Sequence, residues 1–258
     1  MARRITVPEI VSRKGKEKIV ALTAYDYTMA KVIDAAGVDI ILVGDSAAMV
    51  CGGAENTLEA ELEIMLAHTK WVARAVSRAL VVGDMPFGSY QASLQQGIDS
   101  AVAFLKAGAH AVKIEGGKEF AGLISQLVSM GIPVMGHVGM MPQRVHAYGG
   151  FGKRNEESIL EDALAVEEAG AFSVVLEQVP SELAALISSK LRVPTIGIGA
   201  GPSCAGQVLV CYDMLGMNPD FKPKFLKTYM DGWSAVKSAV QRYAREVKNG
   251  EFPGPEQS

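Results

Sequence analysis

The chain has 258 residues, 49% of them hydrophobic and 21% charged, with a formal net charge of −3. That is enough apolar chain for a large core, and the absence of a basic arm or stripe argues against a nucleic-acid partner. No apolar run approaches the roughly 18 residues that a membrane span needs. The opening run Met1 to Pro8 holds no apolar region of signal-peptide length, and Cys51, Cys204 and Cys211 have no paired spacing; a reduced, cytoplasmic protein is expected.

Thr6-Val7-Pro8 reads as a capped helix start with proline just inside. Strand one is expected over 19–24, followed by a helix over 27–36 that stops at Gly37. Strand two covers 39–43 and runs into Asp45-Ser46. After a glycine-bearing loop at 51–53, Thr57 is expected to cap a long helix reaching Ser77. Strand three covers 79–83 and ends at Asp84; a helix over 93–107 stops at Gly108. Strand four is 111–115, helix four 118–130, and strand five 133–137. A polar, glycine-rich loop over 141–155 is the longest non-periodic stretch, and a helix over 156–169 follows. Strand six ends at Glu177, Pro180-Ser181-Glu182 opens the next helix, and strand seven covers 194–198. Strand eight is placed at 208–210, a final amphipathic helix at 225–247, and the tail at 251–255 is expected to be extended.

Apolar strands alternating with helices indicate a parallel sheet covered on both faces, and eight such units indicate one (β/α)8 TIM barrel domain over 1–258. The first helix, lying before strand one, is expected to close the bottom of the barrel.

The strand ends carry the chemistry. Lys113 and Glu115 flank Ile114, so both point to one side of strand four. Asp45, Asp84, Glu115 and Glu177 each follow or end an apolar strand, at the end of a barrel where active sites lie. Any one of them alone suits a helix cap or turn. Four on one rim would raise one another's pKa values unless cations were present. Lys113 is one cation, and carboxylates with no zinc-like cluster of cysteine and histidine favour Mg²⁺ as the other. Asp45 and Asp84 are the candidate ligands, with Glu115 reaching the ion directly or through water. Such a site suits a 2-oxo acid chelated through its carboxylate and keto oxygens, with Glu177, on a different wall, taking the α-proton. Lys113 and Glu115 also read as a plain ion pair. His137 reads equally as a core histidine or a substrate contact, and Gly199-Ala200-Gly201 as a tight turn or an anion-binding loop. Tyr25 and Asp26, ending strand one, hint at a further pocket contact.

Taken together, Thr23-Ala24-Tyr25-Asp26-Tyr27, Val43-Gly44-Asp45-Ser46, Gly83-Asp84-Met85-Pro86-Phe87, Val112 to Gly117, Gly136-His137-Val138-Gly139, Pro142-Gln143, Leu176-Glu177, Gly197 to Gly201 and Phe252 to Glu256 resemble the ketopantoate hydroxymethyltransferase family nearly end to end. The resemblance implies Mg²⁺ on Asp45, Asp84 and Glu115, a 2-oxo acid held by Asp45, Ser46, Asp84 and Lys113, and Glu177 as proton acceptor. It also implies 5,10-methylenetetrahydrofolate as co-substrate and a homo-oligomer, commonly a decamer. Ala54-Glu55-Asn56 and Ala205 depart from the family pattern, and the loop after Gly150 is short; these departures bear on the rim rather than on the carboxylates. Rival readings are a lyase or mutase on a similar Mg²⁺ barrel and a non-catalytic metabolite-binding barrel. The first lacks here the Lys-Lys-Cys-Gly-His type of loop, and the second does not explain the retained acids and lysine.

Overall fold

The computed structural model describes residues 3–150 and 155–257. The chain forms two compact units, Met1–Val210 and Cys211–Ser258. In the first, α1 (Val7–Ser12), β1 (Ile19–Thr23), α2 (Tyr27–Ala35), β2 (Ile40–Val43), α3 (Ala47–Val50) and α4 (Leu62–Ala75) are followed by β3 (Leu80–Asp84), α5 (Leu94–Ala107) and β4 (Ala111–Glu115). Then come α6 (Ala121–Ser129), β5 (Val134–Gly139), α7 (Glu156–Glu168), β6 (Ser173–Glu177), α8 (Ser181–Lys190), β7 (Thr195–Ile198) and β8 (Gly206–Leu209). The second unit holds α9 (Cys211–Met214) and α10 (Gly232–Lys248). All eight strands pair in parallel in sequence order, and β8 closes on β1, so the expected (β/α)8 barrel is the observed fold.

The interior is one apolar cluster drawn from alternate strand positions, among them Ile40 and Leu42, Leu80 and Val82, Ala111, Met135, Val175 and Ile196. The period of two follows from the pleat. Ile5 and Ile10 join the same cluster, so the segment carrying α1 does close one end of the barrel. That helix starts as expected: the Thr6 backbone N–H and hydroxyl both donate to Glu9, at 2.8 and 2.7 Å. Outside the barrel, α7 lies close against β5 because position 136 has no side chain: a Cβ there would stand 2.2 Å from Val166 Cγ1.

Four expectations are corrected. Thr57 opens only a 3₁₀ turn, Thr57–Glu59, capped by Asn56; Ala60 is extended, so the α-helix starts anew at Leu62. The helix expected over 118–130 begins with a 3₁₀ turn at Lys118–Phe120, and its α-helical part is α6. The final helix begins at Gly232, where the Asp231 side chain accepts the Ser234 N–H, rather than at Phe225. The tail closes in a 3₁₀ turn, Pro255–Gln257, rather than running extended. At Thr57 and at Gly232 a side-chain cap, from Asn56 and Asp231, marks where the turn or helix begins, and apolar periodicity does not register such bonds. The loop expected over 141–155 is described as far as Gly150, with a 3₁₀ turn at Pro142–Arg144; its shortened part lies outside the described residues. Among the described residues no helix is long and apolar enough to cross a membrane.

His110, at the start of β4, fastens the strand entrances. Its Nδ1 accepts the Val81 N–H at 2.9 Å, and the Arg4 guanidinium stands 2.9 Å from Nε2. Burial, reinforced by Arg4, lowers its pKa from 6.5 to about 4, so the folded state holds the ring neutral. Between those values the unfolded chain binds the extra proton, so stability is lost as pH falls from about 6.5 toward 4. We expect His110→Asn, which keeps an acceptor for Val81 and cannot titrate, to shrink that loss by on the order of 1–2 kcal/mol once screening at a half-buried ring is allowed for. Urea midpoints at pH 7 and pH 4.5 measure it; an equal fall in both proteins would rule the ring out.

Candidate active site

The inward alternation that builds the core continues past the apolar layer into polar residues. On β3 the inward series Leu80, Val82 reaches Asp84; on β4 Ala111 is followed by Lys113 and Glu115; on β5 Met135 by His137; on β6 Val175 by Glu177. Strand register stacks these in layers: Asp84 lies beside Lys113, and one step higher Glu115 lies beside His137. Asp45 comes from the turn after β2, where its backbone N–H donates to Asp84 Oδ2 at 3.2 Å. The polar set is therefore a continuation of the core at the C-terminal ends of the strands, all of it buried except the partly exposed Glu177.

Lys113 Nζ donates to Asp84 Oδ1 at 2.6 Å, both side chains almost wholly buried. Burial works against the charge on Lys113, but Asp84, Asp45 and Glu115 outweigh it and hold the ammonium well above its ordinary value. Burial pushes Asp84 up to about 7, with Lys113 opposing and Asp45 adding to the rise. Burial raises Glu115 well above the carboxylate range as well; Lys113 opposes this, while Asp45, Glu177 and Asp84 reinforce it.

His137 Nε2 stands 3.0 Å from the Met140 carbonyl and 3.3 Å from Glu177 Oε2, so that nitrogen carries the proton. Its Nδ1 is then an acceptor, 3.6 Å from Glu115 Oε2, and neither atom has a hydrogen-bond partner. Two acceptors facing each other without a donor mark a place for a proton, a water or a cation. Burial, reinforced by Lys113, lowers the His137 pKa, so the ring itself does not readily supply that proton.

Glu177 is the more accessible acid of this pair: its side chain is 15% exposed against 1% for Glu115. The backbone around it is shaped for the position. Gly139, beside it on β5, has φ +98°, and a Cβ there would meet the Glu177 carbonyl at 2.4 Å. Gln178, immediately after, has φ +48°, unusual for a residue with a side chain, and its N–H is tied to the Ile198 carbonyl at 2.8 Å.

A cation at this mouth would meet hard oxygen donors from Asp45 and Asp84 and the orphaned oxygen of Glu115. Among the described residues no three His, Cys, Asp or Glu side chains form a ready cage. Two direct carboxylates with water and substrate completing the shell is the usual arrangement for Mg²⁺, so the donor set fits that ion, with Glu115 reached through water.

A family model of ketopantoate hydroxymethyltransferase matches residues 4–255. The chain belongs to that family. A 3-methyl-2-oxobutanoate hydroxymethyltransferase of Ignicoccus hospitalis is 52% identical over 258 residues, covering 98% of each chain. One of Clostridium botulinum (strain Langeland) is 53% identical over 257 residues, covering 97% of this chain and 94% of its own. Among solved structures, phosphonopyruvate hydrolase, crystallised with oxalate and Mg²⁺, aligns with TM-score 0.65 at 16% identity over 98% of this chain and 93% of its own. A 2,3-dimethylmalate lyase aligns with TM-score 0.62 at 17% identity over 97% of this chain and 92% of its own. At those identities the likeness is one of fold.

As a ketopantoate hydroxymethyltransferase family member the chain brings together Asp45, Asp84, Lys113, Glu115, His137 and Glu177. Ser46 lies beside them, its hydroxyl 2.9 Å from that of the buried Tyr25. Asp26 serves as the cap of α2, accepting the Met29 N–H at 2.9 Å. Gly199 and Gly201 both have positive φ, the geometry of a tight turn after β7. Two departures from the family pattern fall on described residues. Asn56 caps its turn by accepting the Leu58 N–H at 3.0 Å, and Ala205 precedes β8, at the other end of its strand from the rim. Sequence reasoning assigned no role to Tyr90 and Gln143, both buried against the acids. Pro142-Gln143 stood among the family motifs, which was the one available signal. In metal-free protein we expect Asp84 to titrate near 7, and higher in Lys113→Met, which removes the neighbouring positive charge; carboxyl ¹³C NMR measures both, and an unmoved value would break the proposed pairing.

Proposed function

We propose that the chain transfers a hydroxymethyl group from 5,10-methylenetetrahydrofolate to 3-methyl-2-oxobutanoate, giving 2-dehydropantoate and tetrahydrofolate, in pantothenate biosynthesis. The observation that carries this reading is the gathering of Asp45, Asp84, Glu115 and Glu177 around Lys113 at one mouth, in a chain about half identical to relatives named for that activity. Asp45 and Asp84 would hold Mg²⁺, with Glu115 through water; when bound, the ion would polarise the keto carbonyl and so acidify the neighbouring C–H.

The chain's own groups do the rest. Lys113, kept charged, offers an ammonium to the oxygens of the 2-oxo acid, and Ser46 is placed to donate to the same substrate. Glu177 takes the proton from C3, leaving an enolate, while His137 holds the Glu177 carboxyl in place from its Nε2 side. The enolate carbon bonds to the methylene carbon of the folate, both methylene–nitrogen bonds break, one water supplies the hydroxyl group, and the proton taken by Glu177 and the water's second proton end on the two freed nitrogens of tetrahydrofolate.

The reading extends to location and assembly. Free Cys51, Cys204 and Cys211 suit a reducing cytoplasm. On α10, Trp233, Val236, Val240, Tyr243 and Val247 are all exposed, at alternating spacings of three and four. That seam suits packing against further copies in a homo-oligomer, such as the decamer implied by the resemblance.

Two measurements test the proposal. In D₂O with Mg²⁺ and no folate, C3 of 3-methyl-2-oxobutanoate should exchange its hydrogen, exchange should stop with chelator, and Glu177→Gln should slow it by about 10²–10⁴-fold. Undiminished exchange in that variant would remove Glu177 as the base. Light scattering should show an oligomer that Val240→Glu drives to smaller species; a monomeric parent would overturn the assembly reading.

A further inference from the structure

Gln143 has no task in the proposed reaction, yet it is the most completely bonded side chain at the mouth. It sits in the 3₁₀ turn after β5 and is buried. Its Nε2 donates to Asp45 Oδ2 at 3.0 Å and to the Met85 carbonyl at 3.1 Å. Its Oε1 accepts from the Tyr90 hydroxyl at 2.8 Å and from Gln91 Nε2 at 3.2 Å. Its backbone N–H donates to Glu115 Oε1 at 2.8 Å. With both amide protons facing acceptors and the oxygen facing donors, the amide has a single orientation. Tyr90 is fixed in turn: its hydroxyl accepts the Glu115 N–H at 3.3 Å, and its ring meets Phe120 edge-on at 5.0 Å.

We propose that Gln143, braced by Tyr90, is a positioning residue for the divalent-cation site. It grips one oxygen each of Asp45 and Glu115, which come from the strands on either side of β3, and so leaves Oδ1 of Asp45 and Oε2 of Glu115 for a ligand. The same bonds tie the loop after β5 to the mouth, so loop order and carboxylate geometry change together. Groups in this outer position set ligand orientation, and losing one typically lowers metal affinity by about 10–100-fold. The inference rests on the reading of Asp45 and Asp84 as cation ligands.

Mn²⁺ binding to the full-length protein, followed by electron paramagnetic resonance, tests it without turnover. The parent should bind Mn²⁺ and Asp45→Asn should not. Gln143→Met, of similar shape but without the amide, should bind about 10–100-fold more weakly at an unchanged circular-dichroism spectrum. Tyr90→Phe should weaken binding in the same direction by less, and in the double variant the two losses should combine to less than their sum, because part of the Tyr90 effect passes through its bond to Gln143. Parent-like affinity in Gln143→Met overturns the inference and leaves the cation site standing. No Mn²⁺ binding by the parent overturns the site and the inference together. Should Gln143→Met fail to fold, Tyr90→Phe decides, and parent-like affinity there overturns the proposal.

Discussion

The buried pair of Asp84 and Lys113 is the constraint on which the rest of the mouth depends. Two opposite charges taken out of water cost more in lost hydration than a single contact usually returns, so such a pair is a poor source of stability. Its effect here is electrostatic. A permanently protonated lysine in a low-dielectric layer makes further acids above it tolerable, and Asp45, Glu115 and Glu177 collect there. Without that ammonium the acids would face one another across a region with little water to screen them.

Even with Lys113 the layer is not neutral, and the residual imbalance appears as unsatisfied atoms. Glu115 Oε2 and His137 Nδ1 face each other at 3.6 Å, and neither has a hydrogen-bond partner. A buried polar atom without a partner costs about 1–3 kcal/mol, an expense that natural cores avoid except where a ligand completes the bonding. The strained backbone at Gln178 belongs to the same region. Stability is given up over a small volume, and a rigid apolar barrel beneath it absorbs the loss.

The barrel also divides labour between its two ends. At the strand entrances His110, the segment around α1 and the carboxylate of Asp34 close the structure; Asp34 accepts backbone N–H groups of Ser77, Arg78 and Ala79 in the turn before β3. At the strand exits the residues are chosen for the charges they present. Ala205 belongs to the former end, so its departure from the family pattern does not bear on the acids.

Much of this was legible in the amino-acid sequence, because it depends on local rules. Apolar runs of four to six residues separated by amphipathic stretches determined eight strands and their order. The period of two put Lys113 and Glu115 on one face, and the recurrence of an acid at strand ends pointed to Asp45, Asp84 and Glu177. The helix starts at Thr57 and Phe225 were misread because periodicity registers neither the extended Ala60 that breaks the first nor the Asp231 cap that opens the second. What only the tertiary structure decided are the relations that register creates between strands far apart in sequence. Pairing of β4 with β5 is what sets His137 beside Glu115. Closure of the loop after β5 is what brings Gln143 to Asp45, 98 positions away. Such contacts follow from the tilt and closure of the barrel, which no single segment encodes, whereas the alternation along each strand is written in its own residues.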